Sequence, residues 1–184
     1  MRVFHGVILV ALSYSILGSP RMLLAKPTAA NPAQAELKTT YARLFRVSQE
    51  PDEENALRFL QDQTTSDWSS IDETGKRHSR AEQLQVTQDV VAGRASVTPP
   101  RGKLFWQIDK IILQGDVAIV RSHRQLSYQE LDVTGKYGAK GKYHSLAQVV
   151  RKRDTWIKTA NGWRWKLSEE GYPEMSVDGK LQTS

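Results

Sequence analysis

The chain contains no cysteine. That excludes disulfide bridges, a thiol nucleophile and the lipid-bearing cysteine of a bacterial lipoprotein. No internal repeat is visible, and past the N-terminal segment no apolar run approaches the roughly 20 residues that cross a bilayer. The short motifs of several enzyme classes are missing too: there is no HExxH, no GxSxG nucleophile elbow and no GxxxxGK[ST] phosphate loop. His78, His123 and His144 do not lie in any compact ligand spacing, so neither a metal nor another cofactor is expected. Strong charge is also lacking. Of 26 basic and 20 acidic residues, Arg2, Arg21 and Lys26 fall in the first thirty positions with no acid among them, which leaves 23 against 20. Nucleic-acid binding needs a concentrated basic face, and that balance does not supply one.

What the chain does have begins with Arg2 ahead of "VFHGVILVALSYSIL", a break at "GSP" and the small-residue stretch "AKPTAA". This order of charge, apolar run and small residues reads as a secretory signal over residues 1–30, processed near Ala25 or Ala30. An uncleaved N-terminal anchor is the alternative. The expected destination is the periplasm or the extracellular space, with no membrane contact after the signal is removed. Residues 31–172 form the expected domain, large enough to bury a core without bridges. Residues 173–184 read as a flexible tail.

Along the domain the hydrophobic period changes once. "NPAQAELKTTYARLFRV" offers Asn31 as N-cap and Pro32 at the first helical position, with Leu37, Tyr41, Leu44 and Phe45 on one stripe. After "SQEPDEE" a second helix carries Ala56, Phe59 and Leu60, running to about Gln63. "SDWSSIDETGK" alternates Trp68, Ser70 and Asp72 on one side and closes at Gly75, which predicts a short strand. Ser79 and Glu82 stand in capping-box spacing and start a third helix with a thin apolar stripe. Beyond the loop "AGRASVTPPRGK" the period becomes two, through "LFWQIDKIIL", "VAIVRSHRQLSYQE", "YHSLAQVVRKRDTWIK" and "WRWKLSEE". Helices first and long strands after them predict an α+β fold, a curved antiparallel sheet wrapped on N-terminal helices. "TGKYGAKGKYH" reads as a solvated connection rather than an anion loop.

Asn161-Gly162 between two strand-like runs predicts a type I′ hairpin. In that register Lys158 faces Trp165, Trp156 faces Leu167 and Asp154 faces Glu169, which places Asp154 on the indole-bearing face opposite another acid. Two readings of Asp154 follow. In one it lies in a pocket with a raised pKa; in the other the sheet frays and Asp154 meets Arg151 or Arg153. Trp68, Trp106, Trp163 and Trp165 are core residues first and ligand platforms second.

The stretches "TTYARLF", "SDWSSIDETGKRHSRAEQL", "GDVAIVRSHRQL" and "RDTWIKTANGWRWKLSEE" resemble the nuclear transport factor 2-like superfamily, in its SnoaL-like and ketosteroid-isomerase-like branch, over roughly residues 33–170. The resemblance implies a cone-shaped, cystatin-like domain with a pocket between helices and sheet, often paired as a homodimer through the outer face. It also implies roles. Asp72 takes the place of a base that abstracts a proton next to a carbonyl, while Asp154 and Tyr41 take those of donors to the enolate oxygen. Trp68, Trp156, Lys152 and Arg124 are the candidate ligand-binding residues. Polar side chains on the pocket strands, Gln148, Lys152, Ser122 and Arg124 among them, point to a small polar or carbonyl-containing ligand rather than a steroid. Three readings of the function result: an exported binding domain with a polar-lined pocket and no metal, a cofactor-independent isomerase or lyase (dehydratase), or a non-catalytic interaction module.

Overall fold

The computed structural model describes residues 31–49, 53–94, 102–138 and 140–182. The expected signal segment and its two cleavage positions lie outside the described residues. Helix α1 spans Pro32–Gln49. Asn31 caps it, with Oδ1 accepting from the Ala33 amide at 3.0 Å, and Pro32 costs nothing at a position whose N–H has no helical partner. Its stripe of Leu37, Tyr41 and Leu44 is buried against the sheet, while Phe45 is only half-buried. Helix α2 (Glu53–Gln63) adds Ala56, Phe59 and Leu60 to the same core. Helix α3 (Arg80–Val91) starts with the expected capping box between Ser79 and Glu82, and its one buried residue is Gln83.

The strands are β1 (Thr64–Ile71), β2 (Arg77–Ser79), β3 (Lys103–Gln114), β4 (Val117–Leu131), β5 (Tyr143–Thr159), β6 (Gly162–Glu170), β7 (Glu174–Val177) and β8 (Lys180–Leu181). They form one large curved, open sheet in the order β2-β1-β6-β5-β4-β3, with β7 paired to β5 and β8 to β7. One pairing departs from the antiparallel expectation: β1 runs parallel to β6. No hairpin joins these two strands, so local turn chemistry in the sequence does not announce their pairing.

Two corrections concern the hairpin between β5 and β6. The turn is centred on Ala160 and Asn161, and the residue with positive φ is Gly162 at +90°. Thr159 Oγ1 clasps the bend, accepting from the Asn161 amide at 3.2 Å and donating to the Gly162 carbonyl at 2.8 Å. Lys158 therefore faces Trp163, and Trp156 faces Trp165. The register moves by two residues from the expected one, which preserves the faces. A bulge then inserts one extra residue between Trp165 and Leu167, so that Asp154 faces Ser168 and Lys152 faces Glu170. The expected acid pair of Asp154 and Glu169 does not form; Glu169 lies opposite Arg153.

The third correction is at the C-terminus. The segment expected to be a loose tail adds β7 along Leu146–Val149 of β5. Asp178 anchors the β7–β8 turn by accepting from the Ser145 amide at 2.9 Å and contacting His144 Nδ1 at 2.7 Å. The loop "TGKYGAKGKYH" is likewise organised from within. Asp132 accepts from the amides of Thr134, Gly135, Lys136 and Tyr137, which leaves those donors no anion to bind.

The core lies between α1, α2 and the concave face of the sheet. Trp156 and Trp165 stack with planes 3° apart and centroids at 5.7 Å, and Trp68 leans on Trp165 at 5.5 Å. Gly162 tests the turn geometry, because a Cβ there would meet Glu36 Oε1 at 3.0 Å and φ would stay positive. Gly162→Ala is expected to lower stability by about 1–2 kcal/mol in urea denaturation. An unchanged midpoint would mean that the turn adopts another conformation.

Candidate functional site

The pairing of the strands decides which side chains share the concave face. Across β4, β5, β6, β1 and β2 one row reads Val120, Asp154, Ser168, Ser70 and His78. The next row toward the open end reads Ser122, Lys152 and Glu170. The row on the other side holds Ala118, Trp156 and Trp165. The face thus changes from indoles to polar groups within two residues along β5.

Asp154 sits at that boundary with no exposure at all. Its Oδ2 accepts from the Tyr41 hydroxyl at 2.6 Å and its Oδ1 from Trp165 Nε1 at 3.2 Å, while Trp156 Nε1 donates to Tyr41 Oη at 3.1 Å. Burial pushes the Asp154 carboxyl above its ordinary range against the opposing pull of Lys152 and these donors. Burial and the neighbouring Asp154 also hold the Tyr41 phenol well above its usual value, so it stays protonated. The frayed reading of Asp154 does not hold: the carboxyl is enclosed in the aromatic core. Arg151 and Arg153 point to the convex side, where they pair with Glu174 and Glu169.

Lys152 is the second buried ionisable group, its side chain 1% exposed. Its ammonium stands 3.1 Å from Glu170 Oε1 and lies 5.4 Å and 5.6 Å from the ring centroids of Trp106 and Trp165. Arg124 reaches the other oxygen of Glu170 at 3.2 Å. The approach of Lys152 leaves Glu170 Oε1 without an aligned hydrogen bond, so that contact is an ion pair only. Burial pushes Glu170 upward, but Lys152 and Arg124 outweigh it and hold the carboxyl below its ordinary value. Beside Lys152 the Oγ atom of Ser122 and the Nε1 atom of Trp106 are buried with no hydrogen-bond partner, as are Ser70 Oγ and the Nε1 atoms of Trp68 and Trp163 elsewhere in the core. Each such group costs about 1–3 kcal/mol when left unsatisfied.

Asp72 directly follows β1, 5% exposed, inside its own turn. Oδ1 accepts from Thr74 Oγ1 at 2.6 Å, the Thr74 amide at 2.9 Å and the Lys76 amide at 3.0 Å; Oδ2 meets His78 Nε2 at 3.0 Å. These bonds, Thr74 first and His78 next, hold its pKa well below the carboxylate range. A general base works best with a pKa nearer the working pH, so this is the reverse of what a proton-abstracting Asp72 needs. Asp72 and Asp154 stand two strands apart, about 10 Å at usual strand spacing, so one ligand would have to lie across β6 to meet both.

Of the expected ligand-binding residues, Lys152 and Arg124 converge on Glu170. Trp156 does not join them: it is fully buried and its N–H is spent on Tyr41. Trp68 is buried against Trp165. Glu170 and His78 are the members that sequence reasoning missed as site residues. Glu170 enters the face only because of the bulge, and His78 only because the three-residue β2 sets it opposite Ser70. A separate groove of about 480 Å³ runs along β1 and the start of α3. Its charged side chains are already engaged: Arg77 with Ser69, Arg80 with Thr64 and the Gln61 carbonyl, Glu82 with Ser79, and Asp67 with Lys166.

No family model matches the chain, and no curated protein does either. Solved structures share its fold. A conserved protein from Planctomyces limnophilus is 14% identical, with 77% of this chain and 98% of that one covered and a TM-score of 0.51. A protein from Kribbella flavida is 16% identical, with 78% and 93% covered and a TM-score of 0.50. A protein from Streptomyces avermitilis, provisionally named a dehydratase of the NTF2-like family, is 12% identical, with 76% and 95% covered and a TM-score of 0.50. The NTF2-like fold expected from the sequence is therefore the fold of this chain.

Two measurements probe the buried network. Tyr41→Phe removes a donor from Asp154 and an acceptor from Trp156, and is expected to cost about 1–3 kcal/mol in chemical denaturation. The raised pKa of Asp154 makes its contribution greatest below the ordinary aspartate value and progressively lost as pH rises through the folded value. Wild-type stability should therefore carry a component that falls as pH rises above the ordinary aspartate value and that Asp154→Asn lacks. Equal pH slopes for the two proteins would show that Asp154 titrates normally.

Proposed function

We propose that this chain is a small-molecule-binding domain of the NTF2-like fold that takes a small polar ligand on the concave face of its sheet. The observation that carries this reading is that Ser122 Oγ, Trp106 Nε1 and Glu170 Oε1 are buried without hydrogen-bond partners in and beside the Lys152, Arg124 and Glu170 cluster. Buried polar groups are ordinarily paired, and a cluster of exceptions on one face of a curved sheet suits a bound molecule. The N-terminal charge, apolar run and small residues support export as part of the same proposal, and the half-buried Ile119, Ile157 and Leu167 of the convex face suit a homodimer.

A second reading, a cofactor-independent lyase or isomerase, is favoured by one geometric fact. His78 Nε2 meets Asp72 at 3.0 Å on the concave face, beside Ser70. A carboxylate held in its ionised form can orient an imidazole, so a proton next to a substrate carbonyl would pass to His78 rather than to Asp72. The provisional naming of the Streptomyces avermitilis protein as a dehydratase agrees with this second reading.

Native mass spectrometry of the purified protein tests the first reading. A small molecule is expected to be retained by the wild type and lost from Ser122→Ala, a change that removes one orphaned hydroxyl and adds no volume. A homogeneous ligand-free protein, with no thermal stabilisation by any member of a panel of small acids, ketones and alcohols, would reject it.

A further inference from the structure

The convex face divides along its rows as the concave one does. One row reads Ile112, Ile119, Thr155 and Leu167, half-buried side chains across β3, β4, β5 and β6. The next reads Lys110, Arg121, Arg153 and Glu169, and the one beyond it holds His123 and Arg151. Lys110, Arg121 and Arg153 are thus directly opposite one another on three adjacent strands, all exposed. Like charges so placed, with Cβ atoms about 4.5–5.5 Å apart, work against the sheet.

The acids of this face do not relieve them. Glu169 pairs with Arg153, Glu174 with Arg151 and Asp109 with His123, which leaves Lys110 and Arg121 with no carboxylate among the described residues. Over β3 to β7, Lys103, Lys110, Arg121, Arg151, Arg153 and Arg164 stand against Asp109, Glu169 and Glu174, so the face is net cationic with its acids included. Maintenance of the fold accounts for part of this pattern. Lysine on an outer strand hinders pairing with another chain, and Lys103 and Lys110 lie on β3 at one end of the strand order. Arg121 lies on β4, an interior strand with no edge to guard.

We propose that this cationic stripe docks an acidic segment of a partner protein, whose carboxylates meet Lys110 and Arg121 and whose apolar side chains rest on Phe105. Phe105 is 51% exposed on the same face and packs against His123, with ring centroids 6.2 Å apart. An exposed aromatic beside arginines is the composition of a protein interface. A nucleic acid repeats its charge at every residue, and its phosphates would run against the three acids set among the cations. A second copy seated on Ile119, Ile157 and Leu167 would leave the stripe at the rim of that contact and bring the same positive surplus with it.

Fluorescence anisotropy of a labelled peptide of repeated Asp-Glu-Leu tests the docking, with sedimentation of the protein alone beside it. The peptide is expected to bind the wild type, to weaken as salt is added, and to lose about ten-fold or more in affinity with Arg121→Glu. The same variant should melt about 1–4 °C above the wild type, because it sets an acid between Lys110 and Arg153 in place of a third cation. Lys38→Glu, an equal change of charge on the exposed side of α1, should leave the affinity as it was. If Arg121→Glu does not fold, Arg121→Gln decides, and the affinity should fall in it as well. Failure of the peptide to bind the wild type, indifference to Arg121, or an equal loss with Lys38→Glu overturns the proposal. So does an Arg121→Glu protein that folds but melts below the wild type, since the row would then be no cost to the sheet. Oligothymidylate or phosphatidylglycerol vesicles that bind more tightly than the peptide assign the stripe to another anion, and a dimer that Arg121→Glu breaks assigns it to a second copy; either result overturns the acidic-protein assignment. Ligand retention by the concave face is measured separately, so the two proposals fail independently.

Discussion

A carboxyl group inside an aromatic core is the constraint on which this structure depends. Asp154 has no access to water, so its oxygens must be met by protein donors. Two indoles and a phenol meet that need: Trp165 from the neighbouring strand, Tyr41 from α1, and Trp156 behind Tyr41. The bond from Tyr41 spans 113 residues of sequence and ties the first helix to the centre of the sheet. Sliding α1 by one turn would strand the acid, so the network fixes the helix along its axis in a way that apolar contacts alone do not.

The same constraint divides the concave face. On one side of Asp154 the indoles stack and α1 and α2 close over them. On the other side Lys152, Glu170 and Arg124 form ion pairs where a packed apolar trio of similar volume would commonly be at least as stable. Stability is therefore a poor reason for these residues to be there. The bulge in β6 makes the division possible, because without the inserted residue Glu170 would point to the convex side with Arg151 and Arg153.

Much of the fold was legible in the sequence because its signals are local. The cap at Asn31, the box of Ser79 and Glu82, the change from helical to alternating period and the four long strands all appear where their residues place them. The features that were not legible depend on partners distant in sequence. The parallel pairing of β1 with β6 has no turn to mark it, and a bulge leaves no residue type behind as a signature. β7 is a four-residue strand, Glu174–Val177, too short for periodicity to show. The site followed the same division. Asp154, Lys152 and Arg124 sit on regular strands and could be placed by alternation, and Tyr41 by the helical stripe of α1. Glu170 and His78 needed the bulge and the edge strand. The low proton affinity of Asp72 came from a turn whose hydroxyl and amides, those of Thr74 and Lys76, fold back onto it.

The pairing of β1 with β6 bears on the order in which the molecule assembles. β1 is made early, yet beyond the three residues of β2 its only strand partner arrives about a hundred positions later, and β5 is flanked along one edge by β6 and β7, both still later in the chain. During synthesis helices α1 and α2 emerge with no sheet to cover, and the sheet's middle can close only once β6 has been made. Such a topology favours late, concerted folding over growth from the N-terminus, and a chain cut between β6 and β7 would forfeit β7 and β8 before it lost its indole centre.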